Sequence, residues 1–256
     1  QKLRALSSWP VNAMNLRGSL SVEGYPTQMY LDDKNRVVIF SNVYTQYTGF
    51  NEGGGYSGTG GATADVACVA GIDGCGYYYS NTTKVTVVDV TDIANMRVTG
   101  EFYLPGNYAN SRRIDSSVRV VLSDYFRWPS TVKFWPDSSD PNLYSDKARW
   151  NRALDDLKTA NERVIRAQAL SQWLPATRRK LADGRIVDLP YSCSDFYKSN
   201  ASVHLGLATV ATLNLDTPDT APARTSIVGQ VGEIYASQSA LYIASGIRGM
   251  ERGTLS

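Results

Sequence analysis

The chain has 256 residues, enough for a large domain with a real core, and its 43% apolar and 20% charged content is that of an ordinary folded domain. Its 26 basic and 24 acidic residues leave a net charge of +2, too small for the electrostatic footprint of a nucleic-acid binder. No run of 18 or more apolar residues occurs, so no membrane-spanning helix is expected.

Taken in chain order, the sequence starts at Gln1 rather than Met with no charged-then-apolar stretch, as a mature secreted form, a proteolytic product or a piece cut from a longer chain each would. Residues 15–22 read as a strand. Gly24 then leads into a hairpin: 27–31, a turn at Asp32, Asp33, Lys34 and Asn35, and 36–40. Residues 44–80 form a Gly- and Tyr-rich insertion whose glycines, concentrated at 51–61, lack the Gly-Lys-Ser/Thr ending of a phosphate loop. Cys68 and Cys75 lie in it, separated by six residues. In an oxidising compartment a disulfide would staple this polar loop; two free thiols are the alternative.

The middle of the chain is the most regular. A strand at 84–90, a turn at 91–95, a strand at 96–104, Pro105-Gly106, a strand at 107–114, a tight turn at Asp115, Ser116 and Ser117, and a strand at 118–122 follow one another. A second insertion covers about 125–204. Its centre predicts a helix over about 146–167, because Trp150, Ala153, Leu154, Leu157, Val164 and Ile165 recur at three- and four-residue steps and Asp146 or Ser145 can cap the start. The chain then returns to strands at 208–216, 225–231, 232–237 and 241–245.

The strands repeat. If 107–114 is a, 118–122 b, 84–90 c and 96–104 d, the chain reads d, abcd, abcd, ab, with a glycine before each strand a and each insertion between b and c. A recurring four-strand unit marks a β-propeller. The expected fold is therefore all-β with a helical insertion: a propeller portion over 14–245, two full blades and two partial ones, carrying insertions at 44–80 and 125–204. A closed ring needs at least four blades. The expectation is an incomplete ring, completed by the rest of its own chain or by a second copy.

Catalytic signatures are sparse, and no catalytic residue can be named. The lone histidine, His204, approaches a strand and reads as structural or surface; Cys193 reads as a small buried residue. No His or Cys pair has zinc spacing, and the acidic clusters at 32–35 and 137–140 lack calcium-loop spacing, so no metal and no cofactor is expected. Aromatic residues on the insertions are the stronger lead. Tyr44, Tyr47, Phe50, Tyr56 and Tyr78 in the first, and Trp128 and Trp135 in the second, are candidate recognition residues. Packing of the same rings against the blades is the competing reading.

The phrases at 85–92 and 98–106, with Ser111-Arg112-Arg113-Ile114, resemble those of secreted bacterial and archaeal proteins carrying a β-propeller domain distantly related to WD40 repeats. So do the insertion phrases at 159–165, at Trp173-Leu174-Pro175 and at 191–195. That resemblance implies a propeller, export to the periplasm, the cell surface or the medium, and no catalytic residues. Three functions stay in view: an interaction module that binds a protein or cell-surface polysaccharide through its insertions, a glycan-processing hydrolase or lyase with carboxylates at the channel, and a structural subunit of an extracellular assembly.

Overall fold

The computed structural model describes residues 1–48, 50–51, 77–129, 131–136, 141–170, 173–174, 176–200, 203–237 and 240–246; at 44–48, 50–51, 77–81 and 127 it describes the backbone. The chain divides into two compact units. One comprises Gln1–Thr45, Tyr79–Tyr125 and Ala176–Ser256; the other comprises Gln46–Tyr78 and Phe126–Pro175.

The first unit is a stack of antiparallel sheets. β1 (Lys2–Ser7) pairs with β2 (Asn15–Ser21). β3 (Tyr25–Leu31) and β4 (Arg36–Thr48) form a hairpin; the short β5 (Phe50–Asn51) follows, and β6 (Tyr77–Asp89) and β7 (Arg97–Pro105) complete the first four-strand meander. β8 (Asn107–Ile114) and β9 (Ser117–Tyr125) begin the second meander. After β10 (Arg127–Trp128), helix α1 (Lys147–Ala167), β11 (Thr177–Lys180), β12 (Ile186–Leu189) and β13 (Phe196–Lys198), it is completed by β14 (Gly206–Asn214) and β15 (Ala223–Val228). The hairpin of β16 (Ile234–Ala236) and β17 (Leu241–Ile243) comes last. Among the described residues the first and last hairpins form sheets of their own, and no ring closes.

Period-two patterning builds the stack. Val38, Phe40, Val85, Val87, Phe102 and Leu104 project from one face of the first meander into a core shared with Val118, Val120, Leu122, Ala211, Leu213 and Leu215 of the second. The intervening residues Val37, Ile39 and Val88 face the other way and pack with Met96, Leu3 and Leu20, beneath the β1–β2 hairpin. Each buried aliphatic or aromatic side chain contributes about 1.5–3 kcal/mol. The sheets therefore hold most of the stability.

The repeat is visible in backbone detail. The glycine before each strand a lies against a carbonyl of strand b: a Cβ would sit 2.5 Å from the Asn42 oxygen at Gly24, 2.9 Å from Ser123 at Gly106 and 2.8 Å from Ala244 at Gly232. A side chain there would have to displace the hairpin's own backbone. Val90 N donates to the Asn35 carbonyl and Leu215 N to the Ser116 carbonyl, both at 2.8 Å, tying the end of strand c to the a–b turn in each meander. A bulge recurs too. Ala5 faces Gly18 and Leu6 faces Leu16; Val87 faces Gly100 and Val88 faces Val98.

Two features differ from the sequence reading. Strand 15–22 does not stand alone, because β1 pairs along its length, so the first partial unit is c and d. Lys2-Leu3-Arg4-Ala5-Leu6 has no β-branched residue and favours helix by local propensity; pairing with β2 overrides it. The insertion over 125–204 also divides. Residues 126–175 belong to the second unit, whereas 176–200 run along the outer sheet edges, β11 pairing with β7 and β13 running parallel to β15. Outer strands that would present unpaired N–H and C=O groups are thereby covered.

Candidate functional site

In the second unit, α1 begins where the Asp146 carboxylate accepts hydrogen bonds from Ala148 N and Arg149 N at 2.8 and 3.2 Å, satisfying donors that the helix leaves unpaired. Further along, the Asn161 side chain accepts from Lys133 N at 3.1 Å and donates to Lys133 O at 2.6 Å, while Gln168 Nε2 donates to Thr131 Oγ1 at 3.1 Å. These bonds pin residues 131–133 along the helix. Trp135, two residues on, is thereby set beside Trp150 of the first helical turns.

The insertion's aromatic rings fall into two groups. Trp128 is enclosed by Phe126, Phe134 and Trp173, with ring centroids 5.2, 5.6 and 6.0 Å away in edge-on contacts. In that group Phe126, Trp128 and Trp173 are half-buried, and Phe134 lies at its exposed margin. The second group is open on two of its rings, with Trp150 half-buried. Trp135 and Trp150 lie 6.4 Å apart with planes inclined by 30°, and Tyr144 and Trp150 lie 5.3 Å apart at 35°. Trp135 is 53% and Tyr144 68% exposed. Trp135 and Tyr144, each at a shallow tilt to the half-buried Trp150, make an open shelf, with the ion pair Arg149–Asp146 at 3.4 Å on the same helix end.

In the first unit the densest set of titratable groups surrounds Lys84, which is 2% exposed. Its ammonium contacts Glu101 and lies 2.6 Å from Glu23; the Tyr103 hydroxyl donates to Glu23 at 2.8 Å, and Lys180 reaches Glu101 at 3.2 Å. Burial opposes the charge on Lys84, but the two carboxylates outweigh it and raise its pKa. Burial likewise opposes ionisation of Glu23, and the hydrogen bonds from Lys84 and Tyr103 bring its pKa below the usual value. Tyr103 is pushed up by burial and by its bond to Glu23. Lys84 and Tyr103 thus hold their protons and Glu23 lacks one at neutral pH. None of these three is poised for proton transfer there.

A second charged set clamps the meanders together. Arg36 pairs with Asp32 in its own turn and with Asp216 of the second meander at 2.8 Å, and Lys34 also reaches Asp216. Burial alone would raise the Asp32 pKa, but Arg36 and the backbone N–H groups of Lys34 and Arg36 lower it.

Of the residues singled out from the sequence, Trp128 falls in the enclosed ring group and Trp135 on the shelf. The β5–β10 ladder pairs the backbones of Phe50 and Trp128. The side chains of Tyr44, Tyr47, Phe50 and Tyr78, and all of Tyr56, Cys68 and Cys75, lie outside the described residues. Cys193 is exposed rather than buried, at the start of a 3-10 turn capped by Ser192 and Asp195. His204 is exposed. Trp150 and Tyr144, the shelf partners of Trp135, were not singled out. Trp150 carried a signal, since it begins the helix's apolar stripe where a charged cap precedes it.

A family model described as a beta propeller domain matches residues 1–254. The chain belongs to that family. No curated protein and no solved structure matches it. The propeller domain is thus a rigid sheet scaffold of the kind that presents an interaction surface, and its helical insertion interrupts a blade between strands b and c. Among the described residues, no three His, Cys, Asp or Glu side chains come together as a metal site, and no helix is long and apolar enough to cross a membrane.

Proposed function

We propose that this propeller domain is an exported binding module and that the shelf of Trp135, Trp150 and Tyr144 takes a cell-surface polysaccharide. The observation that carries the reading is the shelf itself. Large aromatic rings are usually turned inward, and here Trp135 and Tyr144 stand exposed beside the half-buried Trp150, held in place by a capped helix and the Asn161–Lys133 bonds. Flat apolar faces ringed by polar groups suit the C–H face of a sugar, and loops on a rigid scaffold are the usual carriers of recognition.

Two other readings compete. A protein partner would use the same rings as buried anchors. A glycan-processing enzyme needs a carboxyl group held protonated as general acid. The shifted carboxylates Glu23, Asp32 and Asp216 are displaced in the opposite direction. That favours binding without turnover.

The test is a glycan array followed by calorimetry on the hits. Binding that Trp135→Ala weakens at least tenfold, with no product released, supports the proposal. Turnover overturns it in favour of the enzyme, and a ligand set indifferent to Trp135, Tyr144 and Trp150 removes the shelf. Export has its own check. Titration of the unreduced protein is expected to find one free thiol, Cys193, with Cys68 and Cys75 bridged; three free thiols argue against that bridge.

A further inference from the structure

The joint between the second meander and the β16–β17 hairpin is lined by unneutralised positive charge, and we infer that it binds a small ligand carrying a carboxylate or phosphate group.

The repeat shows how this joint departs from its counterpart. Strands a and b of the two meanders align residue by residue, with a bulge at the same place. Gln28 faces Phe40 and Tyr30 faces Val38 in the first; Asn110 faces Val121 and Arg112 faces Arg119 in the second. In the first meander Val38 and Phe40 are fully buried against the second. Tyr30 packs beside them, its hydroxyl donating to the Ser111 carbonyl at 2.7 Å. The equivalent positions of the second meander hold Arg119, Val121 and Arg112. Strand alternation turns Arg119 and Val121 away from Val118, Val120 and Leu122, which fill the core, and toward β16–β17. Where the first joint has a core, this one has a cavity of about 680 Å³. Arg112, Arg119 and Val121 form one wall, and Ile234, Ala236 and Leu241 the other. Small-molecule sites run from about 300 to 1,000 Å³.

The charges on that wall are unusual for a sheet. Arg112 and Arg119 are directly opposed across the β8–β9 ladder. Like charges so placed repel and destabilise the pair. Arg112 is anchored by one bond, its Nη1 donating to the Ala236 carbonyl at 2.6 Å, as Tyr30 reaches the Ser111 carbonyl in the first joint. Arg119 has no hydrogen-bond or ion-pair partner among the described residues, and neither guanidinium meets a carboxylate there. Asp115, at the β8–β9 turn, is the single carboxylate on the wall, against two arginines. The Asn110 and Ser117 side chains also line the cavity and make no hydrogen bond among the described residues.

An anion seated between the arginines would offset their repulsion. The planar guanidinium fork fits the paired oxygens of a carboxylate or a phosphate. Val121, Ile234 and Leu241 offer the apolar surface that holds the remainder of a small ligand. The site lies in the sheet stack and is independent of the aromatic shelf.

Calorimetry on the 256-residue chain is the test, with inorganic phosphate and citrate as probes, at low ionic strength where exposed charges are least screened. One-to-one binding of at least one probe is expected. Binding of citrate alone assigns a carboxylate ligand, and binding of phosphate alone a phosphate ligand. Arg119→Gln is expected to weaken binding about tenfold, with circular dichroism confirming the fold. Arg4→Gln, the same charge change on an exposed arginine outside the cavity, is expected to leave it within about twofold. Arg119→Val, which installs the residue of the first meander, is expected to abolish binding without lowering the midpoint of thermal unfolding. No binding of either probe overturns the inference. So does binding indifferent to Arg119, or binding that Arg4→Gln weakens equally, which is general attraction to basic residues. An Arg119→Val variant less stable than its parent makes Arg119 a structural residue and overturns it too.

Discussion

The sheet stack and the helical insertion treat large side chains in opposite ways. In the stack every inward position of the two meanders is filled, and Phe40, Phe102, Leu104 and Leu122 are sealed between them. In the insertion, α1 has no buried residue, and its aromatic neighbours divide between an enclosed group around Trp128 and an open shelf around Trp135. The stack gains stability from face-to-face sheets, which bury the inner side of each meander. Among its described residues the insertion has one α-helix and a few turns, and Trp135 and Tyr144 stay exposed there. Stability thus resides in the stack, and the recognition proposed above in the insertion.

That division is open to direct challenge. The largest effect is expected from Phe102→Ala, which empties the core between the meanders and costs about 4 kcal/mol; denaturant unfolding followed by circular dichroism measures it. A loss below about 1 kcal/mol there would mean that the stack is not the stable region. Gly100→Ala comes next, at about 3 kcal/mol, because the new Cβ meets backbone rather than a movable side chain. The same substitution at Gly184, where a Cβ meets nothing within 4 Å, serves as the comparison; its positive φ of 87° leaves only a local backbone cost.

Lys84→Met is expected to cost about 2–3 kcal/mol, toward the low side for a broken buried pair because Glu23 keeps partial contact with water. Its pH dependence identifies the cause. The folded pKa of Glu23 lies below 4.5, so its contribution is present above that value and is lost as pH falls through the folded one. The folded pKa of Lys84 lies above 10.5, so its contribution is present below that value and is lost as pH rises through the folded one. The parent chain should lose stability faster than the variant at both extremes; parallel curves would assign the cost to packing alone.

In the insertion the effects shrink. Asp146→Ala removes the cap of α1 and costs about 1 kcal/mol, confined to the second unit and readable by hydrogen exchange of the first helical turn. Trp135→Ala changes stability by no more than about 0.5 kcal/mol while weakening ligand binding, the sharpest expression of the contrast. A large loss of stability from Trp135→Ala would turn the shelf into packing.

The strands of the two meanders were legible because their apolar residues alternate and their turns carry Asp, Asn and Gly where the backbone needs them. Asn35 and Asp115 sit in the left-handed region, at φ of 56° and 53°. The helix was legible for the same local reasons, from its three-and-four spacing and the Asp146 cap. β1, β11 and β13 were not legible. Each is a short segment made a strand by the partner it meets, and Lys2–Ser7 by itself favours helix.

The same boundary runs through the site. From the sequence alone come the repeat, the glycine before each inner strand and the aromatic character of the second insertion. These follow from neighbours in the chain and from periodicity. Only the tertiary structure separates Trp128, enclosed by three rings, from Trp135, left open beside Trp150 and Tyr144. It alone brings Glu23, Lys84, Glu101 and Lys180 together, and leaves Met14 bare where Met96 is covered. Burial and charge pairing are set by which distant segments come to lie on a residue, and identical residue types in equivalent strands receive different covers.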